Sequence, residues 1–181
     1  MTQPHVRPAR SPDVEPFAAA FGAEWYFTDR LARQREGRGV LLLAWLGSRL
    51  AGDVYVWLEG AEEPPIRAHL PGVALLTHLE VRPQLRNRGI GRALVAATER
   101  YVLERGGHRV ALAVRTDNPA AARLYRRLDY RDWGHGEVTC YTLDVRPDGR
   151  VVRRPERCHV LVKGQEPVTP EVRPSGAARR S

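Results

Sequence analysis

The sequence predicts a mixed α/β fold, because segments with strand patterns and segments with helix patterns alternate along the chain. Residues 40–46 and 50–58 are two largely apolar runs joined by a tight turn, which is typical of an antiparallel hairpin. Residues 73–81 form a third apolar strand, followed by an amphipathic helix at residues 91–105 and a short apolar strand at residues 110–114. A strand, a helix and a strand in this order favour a right-handed parallel crossover.

The N-terminal segment predicts one short strand and two helices. Residues 5–8 have the pattern of the strand. Ser11 or Asp13 can cap the first helix, and Gly22 ends it. The second helix is expected at residues 24–36, where apolar side chains recur at helical spacing.

The C-terminal segment predicts the closing strands. Residues 130–133 and 138–145 are expected to be two strands separated by a turn at residues 134–136. A Pro-Asp-Gly sequence at residues 147–149 predicts another turn. Residues 151–152 and 158–163 are expected to give the final strand after a basic loop.

The chain is expected to hold one domain, residues 1–164, and a disordered tail, residues 165–181, which is rich in Pro, Gly and Arg. The polar start and the lack of a long apolar run predict neither a signal peptide nor a membrane segment. Cys140 and Cys158 have neither a disulfide-scaffold nor a metal-site spacing. These features predict a cytoplasmic location, with no membrane partner.

The net charge of +8 raises the question of nucleic-acid binding. The basic residues are spread along the whole chain, and no basic amphipathic helix, aromatic stacking motif or zinc-finger spacing accompanies them. We therefore expect no nucleic-acid partner, and a basic nucleic-acid binder is the least favoured of the functional hypotheses.

A phosphate-binding turn is predicted directly after residues 73–81. Pro83 ends that strand, and the glycines Gly89 and Gly91 precede the next helix. The first backbone N–H groups of a helix have no partner within it, so they can bind a phosphate. Positive charge is supplied around the same turn by Arg86, Arg88 and Arg92.

Two motifs resemble those of the GNAT superfamily of N-acetyltransferases. Residues 86–91 read Arg-x-x-Gly-x-Gly, which is similar to the acetyl-CoA signature of that superfamily, and they lack the Lys of a P-loop and the third Gly of a dinucleotide fingerprint. Residues 118–130 resemble the superfamily pattern Asn-x-x-Ala-x-x-Leu-Tyr-x-x-x-Gly-Phe, except that Asp129 and Tyr130 replace the final Gly and Phe. Asp tolerates the left-handed helix end that Gly would provide.

The resemblance implies a GNAT-like fold: a mostly antiparallel twisted sheet of about seven strands, splayed after the fourth, with helices on both faces. It also implies that acetyl-CoA is bound as a co-substrate, with its diphosphate on the backbone N–H groups of Arg86 to Gly91. The residues implied to contact it are Leu79, Glu80 and Val81 on the strand, Arg86, Asn87, Arg88, Gly89, Ile90, Gly91 and Arg92 at the turn, and Asn118 and Tyr125 on the next helix. Trp25, Tyr26 and Phe27 either line the acceptor pocket or, as the simpler interpretation, pack in the core.

The resemblance also assigns catalytic candidates. Tyr125 holds the position of the general acid, and a tyrosine is protonated at neutral pH and can donate. The general base is left open between His78 and Glu80, with His135 and Glu137 as weaker candidates. A carboxylate that some ribosomal-protein-acetylating members carry is replaced here by Ala113. No metal and no covalent acyl-enzyme are expected.

The predicted function is direct transfer of the acetyl group of acetyl-CoA to a primary amine, most simply that of a small molecule, by a monomer or homodimer. One alternative keeps the fold without catalysis, as an acyl-CoA-binding or regulatory module. A further alternative is a protein N-terminal acetyltransferase.

Overall fold

A single seven-stranded sheet forms the centre of the protein. The computed structural model describes residues 3–145 and 150–164. Within them the sheet order is β1-β2-β3-β4-β5-β7-β6, in which all neighbours are antiparallel except β4 and β5. The strands are β1 (His5–Pro8), β2 (Gly39–Leu46), β3 (Arg49–Trp57), β4 (Ala74–Val81), β5 (Arg109–Arg115), β6 (Arg131–Val145) and β7 (Val151–Gly164).

Helices cover both faces of this sheet. In the described residues they are α1 (Val14–Phe21), α2 (Glu24–Arg35), α3 (Pro64–His69), α4 (Ile90–Leu103) and α5 (Pro119–Arg127), with short 3₁₀ turns at Ser11–Asp13 and Pro83–Leu85. None of these helices has both the length and the apolar character that crossing a bilayer requires.

Alternation along β3 places different helices on the two faces. Tyr55 of β3 packs with Phe17 and Phe27 of α1 and α2, in an apolar cluster on one face. Val54 and Val56 point the other way and pack with Leu94 of α4 and with Tyr125 and Ala122 of α5. Side chains on one strand therefore reach two separate cores, as the period of two requires.

The strands β4 and β5 separate soon after they begin. They pair in parallel only at Ala74 with Val110 and at Leu75 with Ala111. Beyond these residues β4 continues along β3 as far as Val81, and β5 continues along β7. The parallel character of the predicted crossover, the splay and the seven-stranded mixed sheet are therefore confirmed.

The predicted turn at residues 134–136 is wrong. β6 runs without interruption from Arg131 to Val145, and Gly134 and Gly136, both at φ +80°, form an irregularity where its register with β7 shifts. Glycines in this conformation mark a bulge as well as a turn, and periodicity alone does not distinguish the two.

The basic loop expected before residue 158 is also strand, since β7 begins at Val151 and pairs with β6 over its length. Long cross-strand pairing holds these residues extended although their side chains are polar. The expected turn at 147–149 and the expected disordered tail at 165–181 lie outside the described residues.

The predicted capping of the first helix is wrong in its details. Asp13 is buried, and its carboxylate accepts hydrogen bonds from the backbone N–H of Arg10 and from the Arg7 guanidinium, both at 2.7 Å. Arg7 of β1 thus pairs with the Asp13 carboxylate, which makes no capping hydrogen bond to α1.

Gly52 allows β3 to approach β4 and α4 closely. A Cβ at this position would lie 2.7 Å from the Glu80 carbonyl oxygen and 3.2 Å from side-chain atoms of Ile90 and Leu94. We expect Gly52→Ala to lower the free energy of unfolding in urea by about 1–3 kcal/mol, the usual cost of overpacking. Gly60→Ala is the control, since its nearest neighbour would be 3.7 Å away. Equal stability of the two variants would contradict this packing.

Candidate active site

The turn before α4 presents unpaired backbone amides. Gly89 caps the helix in the left-handed conformation, at φ +77°, and Asn87 is also left-handed, at φ +60°. In the described part of the chain, the backbone N–H groups from Asn87 to Arg92 donate to no backbone carbonyl. The N–H of Arg86 differs from the prediction, because it bonds to the Pro83 carbonyl at 3.3 Å. The anion seat therefore begins one residue later than expected.

Three arginines surround this seat. Arg86, Arg88 and Arg92 are exposed, and the Arg86 Nε donates to the Val81 carbonyl at 3.3 Å. Their guanidinium groups add positive charge to the partial charge of the helix N-terminus. Ile90, in contrast, is buried in the α4-face core and contributes only its amide.

Gly91 allows α4, α5 and β4 to pack closely together. A Cβ on it would lie 3.4 Å from Leu124 of α5 and 3.8 Å from Leu79 of β4. The two motifs recognised in the sequence are thus adjacent in space.

The C-terminal half of β4 has an open edge toward β5. Leu79, Glu80 and Val81 lie beyond the last residue of β4 that pairs with β5, so this edge has no strand partner in the described structure. An amide-bearing chain can bond to such an edge. The edge leads from the parting of the strands toward the anion seat.

Tyr125 lies on α5, and Asn118 is the residue that precedes this helix. Tyr125 is buried in the apolar cluster against which Leu79 and Val81 also pack. Burial raises the pKa of the Tyr125 hydroxyl above its ordinary value, so the group is protonated at neutral pH. Asn118 caps the helix through a hydrogen bond from the Ala121 N–H at 3.1 Å, as predicted.

The end of α5 follows the prediction. Asp129, in place of the glycine of the family pattern, is left-handed at φ +67°.

A bulge in β4 brings His78 and Glu80 together. Between the pairs Asp53–Glu80 and Tyr55–Thr77, β3 advances by two residues and β4 by three. His78 lies in the bulge, at φ +47°. Its Nε2 is 3.5 Å from Oε2 of Glu80, and this hydrogen bonding lowers the pKa of the Glu80 carboxyl. The prediction that these residues share one side is supported, although the regular period of two on which it depended is broken.

Asp53 is the member of this cluster that sequence reasoning missed. It is fully buried, and neither carboxylate oxygen has a hydrogen-bond partner in the described structure. Its Oδ2 lies 3.9 Å from Nε2 of His78. Burial first, and then the charge of Glu80, raise the pKa of Asp53 well above its ordinary value. The sequence signal was a lone carboxylate in an apolar strand, which is rarely buried without a partner.

The helix α2 closes this side of the site. The Tyr26 ring lies 4.2 Å from the His78 ring, centroid to centroid. Tyr26 and Phe27 are buried, whereas Trp25 is 46% exposed. The base candidates therefore lie on the α2 face of β4, and Tyr125 approaches from the α4 face.

The weaker base candidates are engaged elsewhere. Glu137 pairs with Arg157 of β7. His135 stacks on His69 with ring centroids 3.8 Å apart. Neither belongs to the cluster of Asp53, His78 and Glu80.

A family model for the acetyltransferase (GNAT) family matches residues 9–130, which include the anion seat, the open strand edge and Tyr125. The chain belongs to this family. The resemblance seen in the two motifs is therefore confirmed over most of the domain.

Curated relatives match the GNAT chain over shorter segments. An acetyltransferase of Pectobacterium atrosepticum is 38% identical over 69 residues, which are 38% of this chain and 45% of the relative. The mycothiol acetyltransferase of an Arthrobacter species is 35% identical over 63 residues, 35% of this chain and 20% of the relative. The matched segment thus spans less than half the length of these relatives.

Solved structures share the GNAT fold over nearly the whole chain. The Arabidopsis thaliana protein NAA60, in complex with a bisubstrate analogue, superposes with a TM-score of 0.65 at 21% identity and covers 90% of this chain and 98% of that one. The Escherichia coli ribosomal-protein-S18-alanine N-acetyltransferase gives 0.63 at 16% identity and covers 94% and 99%. At these identities the likeness concerns the fold.

The raised pKa of Asp53 predicts a pH-dependent stability. Between the unfolded pKa, about 4, and the raised folded pKa, the folded protein holds a proton that the unfolded chain has released. Stability therefore falls as pH rises through that window. With a chelator present, Asp53→Asn should raise the free energy of unfolding by about 1–2 kcal/mol at roughly pH 8, and by less at roughly pH 5.

The control for this measurement is Glu62→Gln, whose side chain is 66% exposed. Its stability difference from the wild type should be flat over the same range. A flat difference for Asp53→Asn as well would show that the carboxyl ionises normally in the folded state.

Proposed function

We propose that the chain is an acetyl-CoA-dependent N-acetyltransferase that transfers the acetyl group directly to a primary amine. The observation that carries this proposal is the open edge of β4, which leads to the free amides at the start of α4. An edge for the amides of the pantetheine arm and a seat for the diphosphate follow one another along the chain, as the carrier requires.

Acetyl-CoA would be bound at two places, by its diphosphate at the turn before α4 and by its pantetheine arm along the edge of β4. The diphosphate binds the N–H groups from Asn87 to Arg92, with exposed arginines around it. The pantetheine arm extends along Leu79 to Val81, and a backbone N–H near Val81 stabilises the oxyanion that forms at the thioester carbonyl. Asn118 is proposed to contact the arm in addition to capping α5.

Tyr125 is proposed to be the general acid. The departing CoA thiolate needs a proton, and the buried hydroxyl retains its own at neutral pH. Tyr125 belongs to the apolar cluster against which Leu79 and Val81 also pack, and this supports the role.

His78 is proposed to be the general base, with Glu80 orienting it. Glu80 has a lowered pKa, which makes its carboxylate a weak base. The imidazole is 43% exposed and open to an incoming amine, whereas Asp53 is closed off beneath it. The amine would attack from the α2 face while Tyr125 protonates the sulfur from the other face.

A small-molecule acceptor is favoured over a protein N-terminus. The segment similar to mycothiol acetyltransferases and the alanine at Ala113 support this choice. Assay of a panel of small primary amines against N-terminal peptides, by release of free thiol, decides between them. Turnover of peptides alone would overturn the choice.

Gly89→Glu should weaken acetyl-CoA binding at least about tenfold, because a carboxylate in the anion seat repels the diphosphate. The measurement is the acetyl-CoA concentration that stabilises the protein against heat. Gly106→Glu is a matched control at the other end of α4, since both glycines are left-handed, at φ +77° and +78°, and a Cβ on either would have no atom within 4 Å. Equal loss in the two variants would place the diphosphate elsewhere.

Tyr125→Phe should lower kcat about a hundredfold or more while leaving acetyl-CoA stabilisation intact, because only proton donation is removed. Tyr130→Phe is the control, since Tyr130 is also buried and its ring centroid lies 5.8 Å from that of Tyr125. Unchanged turnover in Tyr125→Phe would exclude the general-acid role. Binding of acetyl-CoA without turnover of any amine by the wild type would favour a non-catalytic carrier-binding module.

His78→Gln should abolish the fall of kcat/KM at low pH, which protonation of the base produces. Glu80→Gln should retain this fall but shift it along the pH axis and make it smaller. The reason is that Glu80 acts on the amine only through His78. The opposite pattern, with the fall lost only in Glu80→Gln, would make Glu80 the base.

A further inference from the structure

The cluster of Asp53, His78 and Glu80 has the composition of a cation site. One oxygen of each carboxylate and one imidazole nitrogen all lie within 4.8 Å of one another. The nitrogen is 3.5 Å from Oε2 of Glu80 and 3.9 Å from Oδ2 of Asp53. Imidazole and carboxylate together are ligands that zinc and neighbouring divalent metals accept.

The buried carboxylate independently indicates a missing partner. Both oxygens of Asp53 are buried without a hydrogen bond, and one of them faces His78. Buried carboxylates are normally paired or coordinate a metal, because an isolated one is strongly destabilising. The cross-strand neighbour of Asp53 is Glu80, and its negative charge further destabilises the ionised form of Asp53.

The backbone is adapted to bring these groups together. The bulge in β4 holds His78 in a left-handed conformation, which is uncommon for a residue other than glycine, although less so for histidine than for most. Such conformations persist where the surrounding structure enforces them and cluster at functional sites. The bulge thus places the His78 imidazole, a third possible metal ligand, beside the carboxylates of Asp53 and Glu80.

The cluster is closed on one side and open on the other. Asp53 lies at the bottom with no exposed surface, and the Tyr26 ring packs against His78 at the side. The side chains of His78 and Glu80 are 43% and 45% exposed. Ligands of a tetrahedral Zn²⁺ lie about 3.3 Å apart. Small rotations of the two exposed side chains would therefore close the set around an ion.

We propose that Asp53, His78 and Glu80 bind a divalent transition-metal ion of the Zn²⁺ class, with a fourth position open to solvent. This differs from the expectation of no metal, which came from the family resemblance and from cysteines without a metal-site spacing. A consequence follows that rests on the proposed function. Metal binding would occupy Nε2 of His78, the proposed general base, and would inhibit acetyl transfer.

The test uses the full chain dialysed against a chelator and then titrated with Zn²⁺ by calorimetry and with Co²⁺ by visible absorption. One ion per chain is expected. Asp53→Asn and His78→Gln should each weaken binding at least about tenfold. Both variants should fold, because the His78 side chain is 43% exposed and Asp53→Asn removes a buried carboxylate that has no hydrogen-bond partner in the described structure.

The control is His69→Ala, which removes the stacked His69–His135 pair as an alternative imidazole site. It should bind Zn²⁺ as the wild type does. Absence of binding by the wild type, binding that survives both cluster substitutions, or loss in the His69 variant alone would overturn the proposal.

The inhibition assay separates this proposal from the proposed function. Zn²⁺ should inhibit acetyl transfer by the wild type at the concentration at which it binds. Binding that depends on Asp53 and His78 without inhibition would support the metal site and contradict the role of His78 as base.

Discussion

The parting of β4 from β5 is the constraint on which the rest of the site depends. Two strands that pair at only two positions leave the remaining backbone groups of β4 without a sheet partner on that side. Unpaired backbone groups need hydrogen bonds from elsewhere. A ligand with amides can supply them, and the chain leads from this edge directly into the anion seat of α4. The cleft therefore results from the topology of the sheet.

The two faces of β4 offer different chemistry. One face, toward α4 and α5, is apolar and holds Tyr125 with its proton retained by burial. The other face, toward α2, carries a polar cluster that is open to solvent at His78 and closed at Asp53. Under the proposed function, an acid and a base would thus act on opposite sides of one thioester without neutralising each other.

The cluster on the α2 face has an unbalanced charge that the fold alone does not resolve. Asp53 and Glu80 are cross-strand partners, and Asp53 has no hydrogen bond. A proton on Asp53, a metal ion or the ammonium group of an acceptor would each relieve this imbalance. Each is a small cation that enters from the open side, which is where the amine substrate is expected.

The sequence by itself determined the elements that depend on local chemistry. The apolar runs, the amphipathic helix and the glycine turn specified the crossover and the anion seat, and Asn118 specified the cap of α5, because these signals act within a few residues. The tertiary structure alone decided three features: the continuity of β6 through its glycines, the bulge at His78 and the burial of Asp53. Each depends on which strand lies alongside, and pairing between distant segments leaves little trace in local periodicity.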